Sequence, residues 1–406
     1  VSRVEPGHVV TYDIISGQLE VEHFVPPPPM VRFQGSENCA VSRYIELLTE
    51  AVHNQLLSDV PVGVLLSGGI DSALVAALAV KAGAQPTAFT VGFGDDHPEC
   101  EISYARHTAD VLGLKHRVVS LDAESAWEAL LPALAHTEEP LGTTSLVPMW
   151  YLSALAHQDV SVVLTGQGTD ELFGGYRRYQ GEILGQCFPR SVLWRPLAAY
   201  ASSFGHRGDL LSRALHGLTT QNEAQHMAKV HALFTDDECR ALGLEPDDKT
   251  RLAPLQSWLD WMGTGRGSDP AERMMTADLR MNLADDLLLS GDRISMAHSV
   301  EARVPMLDNH VVDFVESLPR HLRLRWRKSK YLHRKAAKAL LPRTIIERPK
   351  LGFQVPVGSW ARREWHDRIE ERLFSKKDLG GLVEIRAGRE IWQQHQSGRR
   401  DRTRQI

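Results

Sequence analysis

The amino-acid sequence predicts an α/β protein with a doubly wound, mainly parallel sheet, a helical insertion and further helices towards its C-terminal end. From about residue 40 onward, short apolar segments alternate with segments of helical spacing, which is the pattern of strand–helix–strand units. The apolar segments are continuous, as in strands that helices cover on both faces. Ligands of such sheets bind beyond the carboxyl ends of the strands. We therefore expect the functional site at residues 67–72, 91–95 and 165–170.

The chain begins with a predicted hairpin and a linker. Residues 9–13 and 18–24 are two β-type segments around a Ser-Gly turn, which predicts an antiparallel pair. Four consecutive prolines at 26–29 make a stiff, extended linker. Apolar residues then recur at helical spacing over 40–57, which predicts the first helix.

The remaining elements follow from the same two periodicities. Runs of four to eight apolar residues predict strands, and apolar residues three or four apart predict helices. These patterns place strands at 60–66, 87–93, 116–121 and 160–165, and helices at 73–81, 104–112 and 147–157. The stretch from about 189 to 268 is predicted to be a helical insertion.

Composition excludes several classes of protein. The 406 residues include 46 basic and 51 acidic side chains, a formal charge of −5 that does not suggest a nucleic-acid-binding protein. No apolar run approaches the ~20 residues needed to span a bilayer. The four cysteines are far apart and form no Cys-x-x-Cys pair, so neither a disulfide framework nor a zinc site is indicated. We expect a cytoplasmic enzyme without nucleic-acid or membrane partners.

The turn after the first sheet strand, residues 67–72, has the sequence Ser-Gly-Gly-Ile-Asp-Ser. Glycines let the backbone approach an anion, and the N-terminus of the following helix offers free N–H groups. Asp71 has the wrong sign for a phosphate contact but suits Mg²⁺ held between phosphates. The alternative is a glycine-rich turn whose Ser and Asp side chains only cap the helix.

A second turn, at residues 165–171, repeats this chemistry. A strand again ends in glycines and meets a helix that carries Asp170 and Glu171. If the two strands are neighbours, Asp170 can share Mg²⁺ with Asp71. Acidic side chains in the first turn of a helix also stabilise its dipole, so one of the pair can be structural, and Glu171 is the better candidate for that role.

These motifs resemble those of a known family. The Ser-Gly-Gly-x-Asp-Ser motif matches the pyrophosphate loop of the N-type ATP pyrophosphatases, whereas the Gly-x-x-x-x-Gly-Lys-Ser/Thr loop is absent. From about Tyr44 to the C-terminus the chain resembles the synthetase domain of the glutamine-dependent asparagine synthetases. The segments that carry the resemblance are 59–63, 67–72, 96–100, 172–176, 292–308 and 347–353.

The resemblance implies a sheet of the adenine nucleotide alpha hydrolase-like type and a division of the chain. Residues 1–29 would be the end of a glutaminase domain with its linker, and residues 36–406 the synthetase domain. Glu5-Pro6-Gly7-His8 is typical of the end of that glutaminase domain. The N-terminal cysteine nucleophile of the glutaminase is not in this sequence. A homodimer is one candidate state of assembly.

The resemblance also implies ATP and Mg²⁺ as cofactors and assigns residues to them. Asp71 and Asp170 would hold the metal, and Lys350 would stabilise negative charge in the transition state. The residues implied to bind ATP or pyrophosphate are Leu66, Ser67, Gly68, Gly69, Asp71, Ser72, Val91, Thr165, Gly166 and Lys330.

Physical reasoning bears on three of the charged residues. Lys350 lies between a rigid Arg-Pro pair and a flexible Leu-Gly pair, which suits an ammonium aimed into a cleft. Lys330 is spaced to share a helix face with Arg334, and such a basic face is usually solvated, although Lys330 could also reach a phosphate. Glu301 is predicted either to contact substrate as a catalytic residue or to pair with Arg303.

Gln167 is a departure from the family pattern. Asparagine-forming members carry Glu at this position, which is implicated in forming the aspartyl-adenylate. An amide carries no charge and cannot act as a general base. Relatives that are altered here adenylate other carboxylates, so the substitution weakens the case for aspartate more than the case for adenylation. We keep Gln167 among the catalytic positions.

Three functions remain open from the sequence. The first is ATP-dependent amide synthesis, in which a carboxylate is adenylated and ammonia from a glutaminase domain then displaces AMP. The resemblance to the family favours L-aspartate as the carboxylate and L-asparagine as the product. The second keeps this chemistry but amidates or cyclises a different acid in a specialised pathway. The third is a non-catalytic nucleotide-binding subunit.

Overall fold

The computed structural model describes residues 4–25, 31–94, 97, 100–137, 143–201, 205–263, 269–349, 355–374 and 383–406. Strands β1 (His8–Tyr12) and β2 (Leu19–His23) form the predicted antiparallel hairpin. The hairpin lies on the helical insertion, because the ring of His23 contacts those of Trp258 and Trp261, with centroids 5.5 and 5.3 Å away.

The central sheet has five strands, and all of its pairings are parallel. Their order in the sheet is β5-β4-β3-β6-β7. The chain therefore adds β4 and β5 on one side of β3 and then β6 and β7 on the other side. This change of side puts the topological switch point between β3 and β6. The strands are β3 Val62–Leu65, β4 Ala88–Gly92, β5 His116–Ser120, β6 Val162–Leu164 and β7 Glu301–Arg303.

Six helices accompany the strands. Helix α1 begins at an N-cap, Ser36, whose side chain accepts a hydrogen bond from the amide of Cys39, and it buries Tyr44, Leu48 and Val52. The six helices are α1 Glu37–Leu56, α2 Ile70–Lys81, α3 Ile102–Leu112, α4 Ala123–Thr137, α5 Leu146–His157 and α6 Thr169–Phe173.

The described residues of the predicted insertion, 189–268, hold helices and no strand. Helix α7 leads into this layer, and helices α8 to α12 lie within it. Their bounds are α7 Arg177–Gly185, α8 Trp194–Ala201, α9 Gly205–Gly217, α10 Glu223–His231, α11 Asp236–Ala241 and α12 Asp248–Met262.

The described part of the C-terminal third is helical apart from β7. It includes a π-helical segment, Leu283–Leu288, and a short 3₁₀ turn, Pro305–Leu307. The α-helices are α13 Pro270–Arg280, α14 Leu289–Met296, α15 Asn309–Ser317, α16 Arg320–Arg323, α17 Tyr331–Ala337, α18 Arg343–Ile346, α19 Val357–Arg362, α20 His366–Phe374 and α21 Ile385–Gln396.

Helices cover both faces of the sheet, as the continuous apolar strands predict. One buried cluster joins α1, α2, α15 and α17, and a second joins α4, α5 and α19 to the other face. None of the described helices has the length and apolar character needed to cross a membrane. The four cysteines are unpaired.

Candidate active site

A cavity of about 2240 Å³ opens at the carboxyl ends of β3 and β6, where the chain changes direction across the sheet. The loops after these two strands lie side by side in its wall. Its lining includes every described residue of the predicted site except Glu301: Leu66, Ser67, Gly68, Gly69, Asp71, Ser72, Val91, Thr165, Gly166, Gln167, Asp170 and Lys330.

The loop after β3 is held in shape by its own hydroxyl groups. The amide of Ser67 donates to Ser72 Oγ at 3.0 Å, and the amide of Gly69 donates to Ser67 Oγ at 3.1 Å. The two hydroxyl oxygens lie 2.9 Å apart. The loop is therefore closed before α2 begins at Ile70, and the first residues of the helix line the cavity.

Gly68 carries the third amide of this loop and donates it to Glu101 Oε2 at 3.1 Å. A Cβ on Gly68 would lie 3.0 Å from Tyr104 Cβ, so a larger residue would press the loop against α3. The amide of Gly68 is therefore already hydrogen-bonded to a carboxylate oxygen, so the loop backbone can bind an anionic oxygen. Glu101 is a site residue that no motif in the sequence indicated.

Lys330 lies between the two aspartates. Its Nζ is 2.5 Å from Asp71 Oδ2 and 2.8 Å from Asp170 Oδ1, and the side chain is only 3% exposed. Lys330 is therefore buried, and it is not part of a solvated basic helix face. Its backbone adopts a left-handed conformation, φ 54°, and its amide donates to the carbonyl oxygen of Phe173. This conformation is unfavourable for a lysine and is held by the surrounding structure.

The electrostatics of this group are dominated by the buried ion pairs. Burial alone would raise the pKa of Asp71, but the Lys330 ammonium and His333 outweigh it and lower that pKa. Burial would lower the pKa of Lys330, but Asp71 and Asp170 raise it. Both aspartates therefore face one buried cation.

These residues fit a magnesium ion shared with phosphates. Asp71 Oδ1 is buried and accepts no hydrogen bond of good geometry, so the protein does not fully satisfy this carboxylate. The described residues contain no cluster of three or more His, Cys, Asp or Glu side chains that could hold a metal by themselves. Mg²⁺ is commonly held by one or two carboxylates together with substrate phosphates, and Asp71 and Asp170 would supply those carboxylates.

Glu171 is turned into the protein. It is 1% exposed, and Tyr176 Oη donates to its Oε1 at 2.7 Å. Burial, with the charge of Asp170 adding to it, raises the pKa of Glu171 to about 7. This environment supports the structural role preferred for Glu171 from the sequence.

Gln167 faces the start of α14. A Cβ on Gly291 would lie 3.7 Å from Gln167 Nε2, so the amide approaches the helix backbone there. One turn earlier, in the π-helical segment, Asp286 also lines the cavity, and its Oδ1 is buried without a hydrogen bond. Burial raises the pKa of Asp286. Asp286 was not predicted from the sequence, since a π-helical turn has no clear sequence pattern.

Glu301, which is expected either to contact substrate or to pair with Arg303, lies outside this cavity. Glu301 is exposed at the amino end of β7, whereas the cavity lies at the carboxyl ends of the strands. Its Oε1 accepts from Arg303 Nε at 2.7 Å, which is the salt bridge that the sequence allowed as the alternative. Lys350 lies outside the described residues. Arg348, two residues earlier, lines the cavity and donates to the carbonyl oxygen of Tyr104 at 2.8 Å.

The strand order and the loops at the switch point define a doubly wound α/β protein with a parallel sheet. A sequence model of the asparagine synthase family matches residues 43–406. The chain therefore belongs to the asparagine synthase family.

Several proteins are similar to this chain. A Mycobacterium tuberculosis protein with a provisional name as a glutamine-hydrolysing asparagine synthetase is 32% identical over 90% of this chain and 56% of its own length. Glutamine-hydrolysing asparagine synthetase 1 of Bacillus subtilis is 28% identical over 100% of this chain and 63% of its own. The amidase chyE of Penicillium rubens is 27% identical over 94% and 62%.

The chain spans about three-fifths of the length of these curated relatives. Among solved structures, the NMN synthetase from Francisella tularensis is similar over 35% of this chain and 60% of its own, with 24% identity and a TM-score of 0.26.

Proposed function

We propose that this chain is the synthetase part of an ATP-dependent amide-forming ligase. The observation that carries the proposal is the pairing of Asp71 and Asp170 around one buried cation beside the Ser-Gly-Gly-x-Asp-Ser loop. Membership of the asparagine synthase family supports the same chemistry.

In the proposed reaction a carboxylate oxygen of the substrate attacks the α-phosphorus of ATP. The bond between the α-phosphorus and the bridging oxygen breaks, pyrophosphate leaves, and an acyl-adenylate remains. Ammonia then attacks the acyl carbon, loses a proton, and displaces AMP to give the amide. Negative charge develops on the leaving pyrophosphate and on the tetrahedral intermediate, and fixed cations stabilise it.

The loop residues would bind the pyrophosphate portion of ATP. Residues at the start of α2, together with Ser67 and Ser72, line the part of the cavity where a phosphate group would lie. Bound Mg²⁺ would neutralise the charge of the β- and γ-phosphates. Lys330 would contact a phosphate when the metal takes its place between the aspartates, and Lys350 keeps its proposed role of stabilising charge in the transition state.

The adenosine would lie against β4 and the loop after β6. Leu66, Val91 and Thr165 form a mostly apolar wall of the cavity there, and Gly166 leaves the backbone accessible. Thr165 Oγ1 is buried without a hydrogen-bond partner, so a ligand hydroxyl or ring nitrogen could satisfy it.

A glutaminase domain is the proposed source of ammonia. The curated relatives are longer than this chain, and two of them are named as glutamine-hydrolysing enzymes. Residues 1–29 would be the end of that domain and its linker, and residues 36–406 the synthetase domain. The exposed apolar side chains of the hairpin, among them Tyr12, Leu19 and Val21, suit a surface that a neighbouring domain covers.

L-Aspartate is the first candidate for the carboxylate, with L-asparagine as product. A different acid is the second candidate, and Gln167 favours it because the position lacks the charge that asparagine-forming members carry. The similarity to a protein named as an amidase is in keeping with this second candidate. A non-catalytic nucleotide-binding subunit is the third candidate.

The test is ATP–[³²P]pyrophosphate exchange by the purified chain with Mg²⁺, first with and without L-aspartate and then with a panel of other carboxylic acids. Exchange that requires aspartate supports the first candidate, and exchange only with another acid supports the second. Asp71→Asn and Asp170→Asn should abolish either signal, whereas Asp367→Asn, on the exposed surface of α20, should not. Binding of ATP without exchange by any acid would overturn the proposed ligase activity and favour the third candidate.

A further inference from the structure

Two buried polar side chains lie on the core side of Asp71, away from the cavity. Tyr44 on α1 and His333 on α17 are both fully buried. Tyr44 Oη lies 2.8 Å from His333 Nδ1, and His333 Nε2 lies 3.2 Å from Asp71 Oδ1. The ring of Phe173 packs against both aromatic rings, at centroid distances of 5.1 and 5.5 Å. A continuous polar chain therefore runs from the core to the anion loop.

This placement is unusual for the residue types involved. A histidine or tyrosine in a core is stable only where its polar atoms find partners, because burial removes their hydrogen bonds to water. A leucine at position 333 would fill similar space without that requirement. Neither Tyr44 nor His333 lines the cavity, so neither can touch a nucleotide.

The contacts of the imidazole fix its tautomer. An ionised carboxylate only accepts hydrogen bonds, so Nε2, which lies 3.2 Å from Asp71 Oδ1, is the ring nitrogen that carries the hydrogen. Nδ1 lies 2.8 Å from Tyr44 Oη and, in this tautomer, accepts the hydrogen of the phenol.

Both atoms of that last contact are buried and lack a well-aligned hydrogen bond. Lys330 holds the other carboxylate oxygen, Asp71 Oδ2, at 2.5 Å. The 3.2 Å separation puts His333 Nε2 within reach of Oδ1, so the imidazole can hold this oxygen while Oδ2 stays directed at the cation position that the Lys330 ammonium occupies.

We propose that His333 is a positioning residue that orients the Asp71 carboxylate for a divalent cation, with Tyr44 fixing the imidazole tautomer that donates to Asp71. The inference rests on the proposed role of Asp71 as a metal ligand. Outer-shell hydrogen bonds of this kind hold a ligand in its binding orientation, and their loss commonly reduces metal affinity by about 10- to 100-fold.

The experiment measures Mn²⁺ binding in the presence of ATP by electron paramagnetic resonance, and AMP binding without metal by calorimetry. His333→Leu should weaken Mn²⁺·ATP binding by about 10- to 100-fold and leave AMP binding unchanged. His333→Gln places an amide N–H near the position of Nε2 and should recover most of the affinity. Tyr44→Phe should give a smaller loss.

A second readout follows the tautomer directly. Nitrogen-15 NMR of labelled histidine should show His333 protonated at Nε2 in the wild type and a mixture of tautomers in Tyr44→Phe. A control variant is His395→Leu on α21, which removes another fully buried histidine, one that lies 3.0 Å from the carbonyl oxygen of Gly358. That variant should lose stability without losing Mn²⁺·ATP affinity.

Equal Mn²⁺·ATP affinity in wild type and His333→Leu would overturn the inference while leaving the proposed function intact. A parallel loss of AMP binding would overturn it as well, since a general structural role would then suffice. If His333→Leu does not fold, His333→Gln and Tyr44→Phe decide the question, and unchanged affinity in both rejects the proposal. Failure of the wild type to bind Mn²⁺·ATP would reject the metal site itself.

Discussion

The α-carbon of Gly166 faces the backbone of Ser72 so closely that a Cβ on Gly166 would lie 2.6 Å from the Ser72 nitrogen. The loop after β6 therefore rests directly on the first turn of α2. This contact is between backbones, so neither side can rotate away. It sets the distance between Asp170 and Asp71, which come from these two loops.

Replacing Gly166 with alanine should separate the two loops. The clash involves backbone atoms, so we expect a stability loss of about 1–3 kcal/mol and a marked loss of ATP affinity. Gly181→Ala is the matched control, because this glycine lies in α7 on the same cavity and a Cβ there would meet nothing within 4 Å. The control should gain about 0.5–1 kcal/mol. Urea unfolding and calorimetric ATP titration measure both variants, and equal behaviour of the two would contradict the prediction.

Replacing Lys330 with methionine should make folding depend on divalent cations. The change removes the cation that both Asp71 and Asp170 contact, and breaking a buried ion pair costs about 3–5 kcal/mol. MgCl₂ should raise the melting temperature of this variant more than that of the wild type, since the ion can take the ammonium position. Lys335→Met, which removes a more exposed partner of Glu37, should show no such difference. A melting temperature insensitive to MgCl₂ would count against a metal position between the aspartates.

Replacing Gln167 with glutamate should alter the choice of acid. The side chains are nearly isosteric, and Gln167 is only partly buried, so stability should change little. The added carboxylate can balance a cationic group on the substrate. We therefore expect the ratio of exchange rates with L-aspartate and succinate, which lacks the ammonium group, to rise by about tenfold or more. An unchanged ratio would show that the side chain at position 167 does not discriminate between substrates by their charge.

The buried Asp278 predicts acid sensitivity. It is 2% exposed, and it pairs with Arg178 at 2.8 Å and with His231 at 2.8 Å. Burial would raise its pKa, but His231 and Arg178 outweigh burial and lower it. Because the folded pKa lies below the unfolded value of 3.8, the stabilisation is present above about pH 3.8 and is lost as the pH falls through the folded value.

Asp278→Asn should remove this contribution. The variant leaves Arg178 without its buried counter-ion, so we expect a loss of about 3–5 kcal/mol at pH 7 and a smaller difference from wild type at low pH. The urea midpoint measured between pH 7 and pH 3 gives both quantities. A difference between the two proteins that stays constant with pH would contradict the assigned titration.

Sequence patterns were sufficient for the inner part of the sheet. Strands β3, β4 and β6 and helix α5 lie where continuous apolar runs and helical spacing place them, because buried parallel strands and amphipathic helices have strong periodicities. Strand β7 has the sequence Glu-Ala-Arg, which carries no strand signal. It becomes a strand because it pairs with the open edge of β6. A contact between distant segments of this kind cannot be predicted from a local sequence pattern.

Residues of the candidate site could be predicted where they belong to one short motif. They could not be predicted where the fold brings distant segments of the chain together. The loop at 67–72 and Asp170 were found from glycine and carboxylate spacing. Lys330 was assigned by resemblance, but its position between the aspartates depends on a left-handed turn 160 residues further along the chain than Asp170. His333 and Tyr44 carry no motif, and only the packing of α1 against α17 brings them to Asp71.

The late position of Lys330 has a consequence for synthesis on the ribosome. The nascent chain carries both aspartates by residue 170, but the ammonium that neutralises them emerges only after 159 more residues. Strand β7 likewise reaches the open edge of β6 more than a hundred residues after that edge exists. During this interval the shorter nascent chain would lack the Lys330 cation beside the two aspartates and would have an uncovered strand edge, which is a state that invites association with other chains. The arrangement of both aspartates around Lys330 can therefore form only after the segment that carries Lys330 has been made.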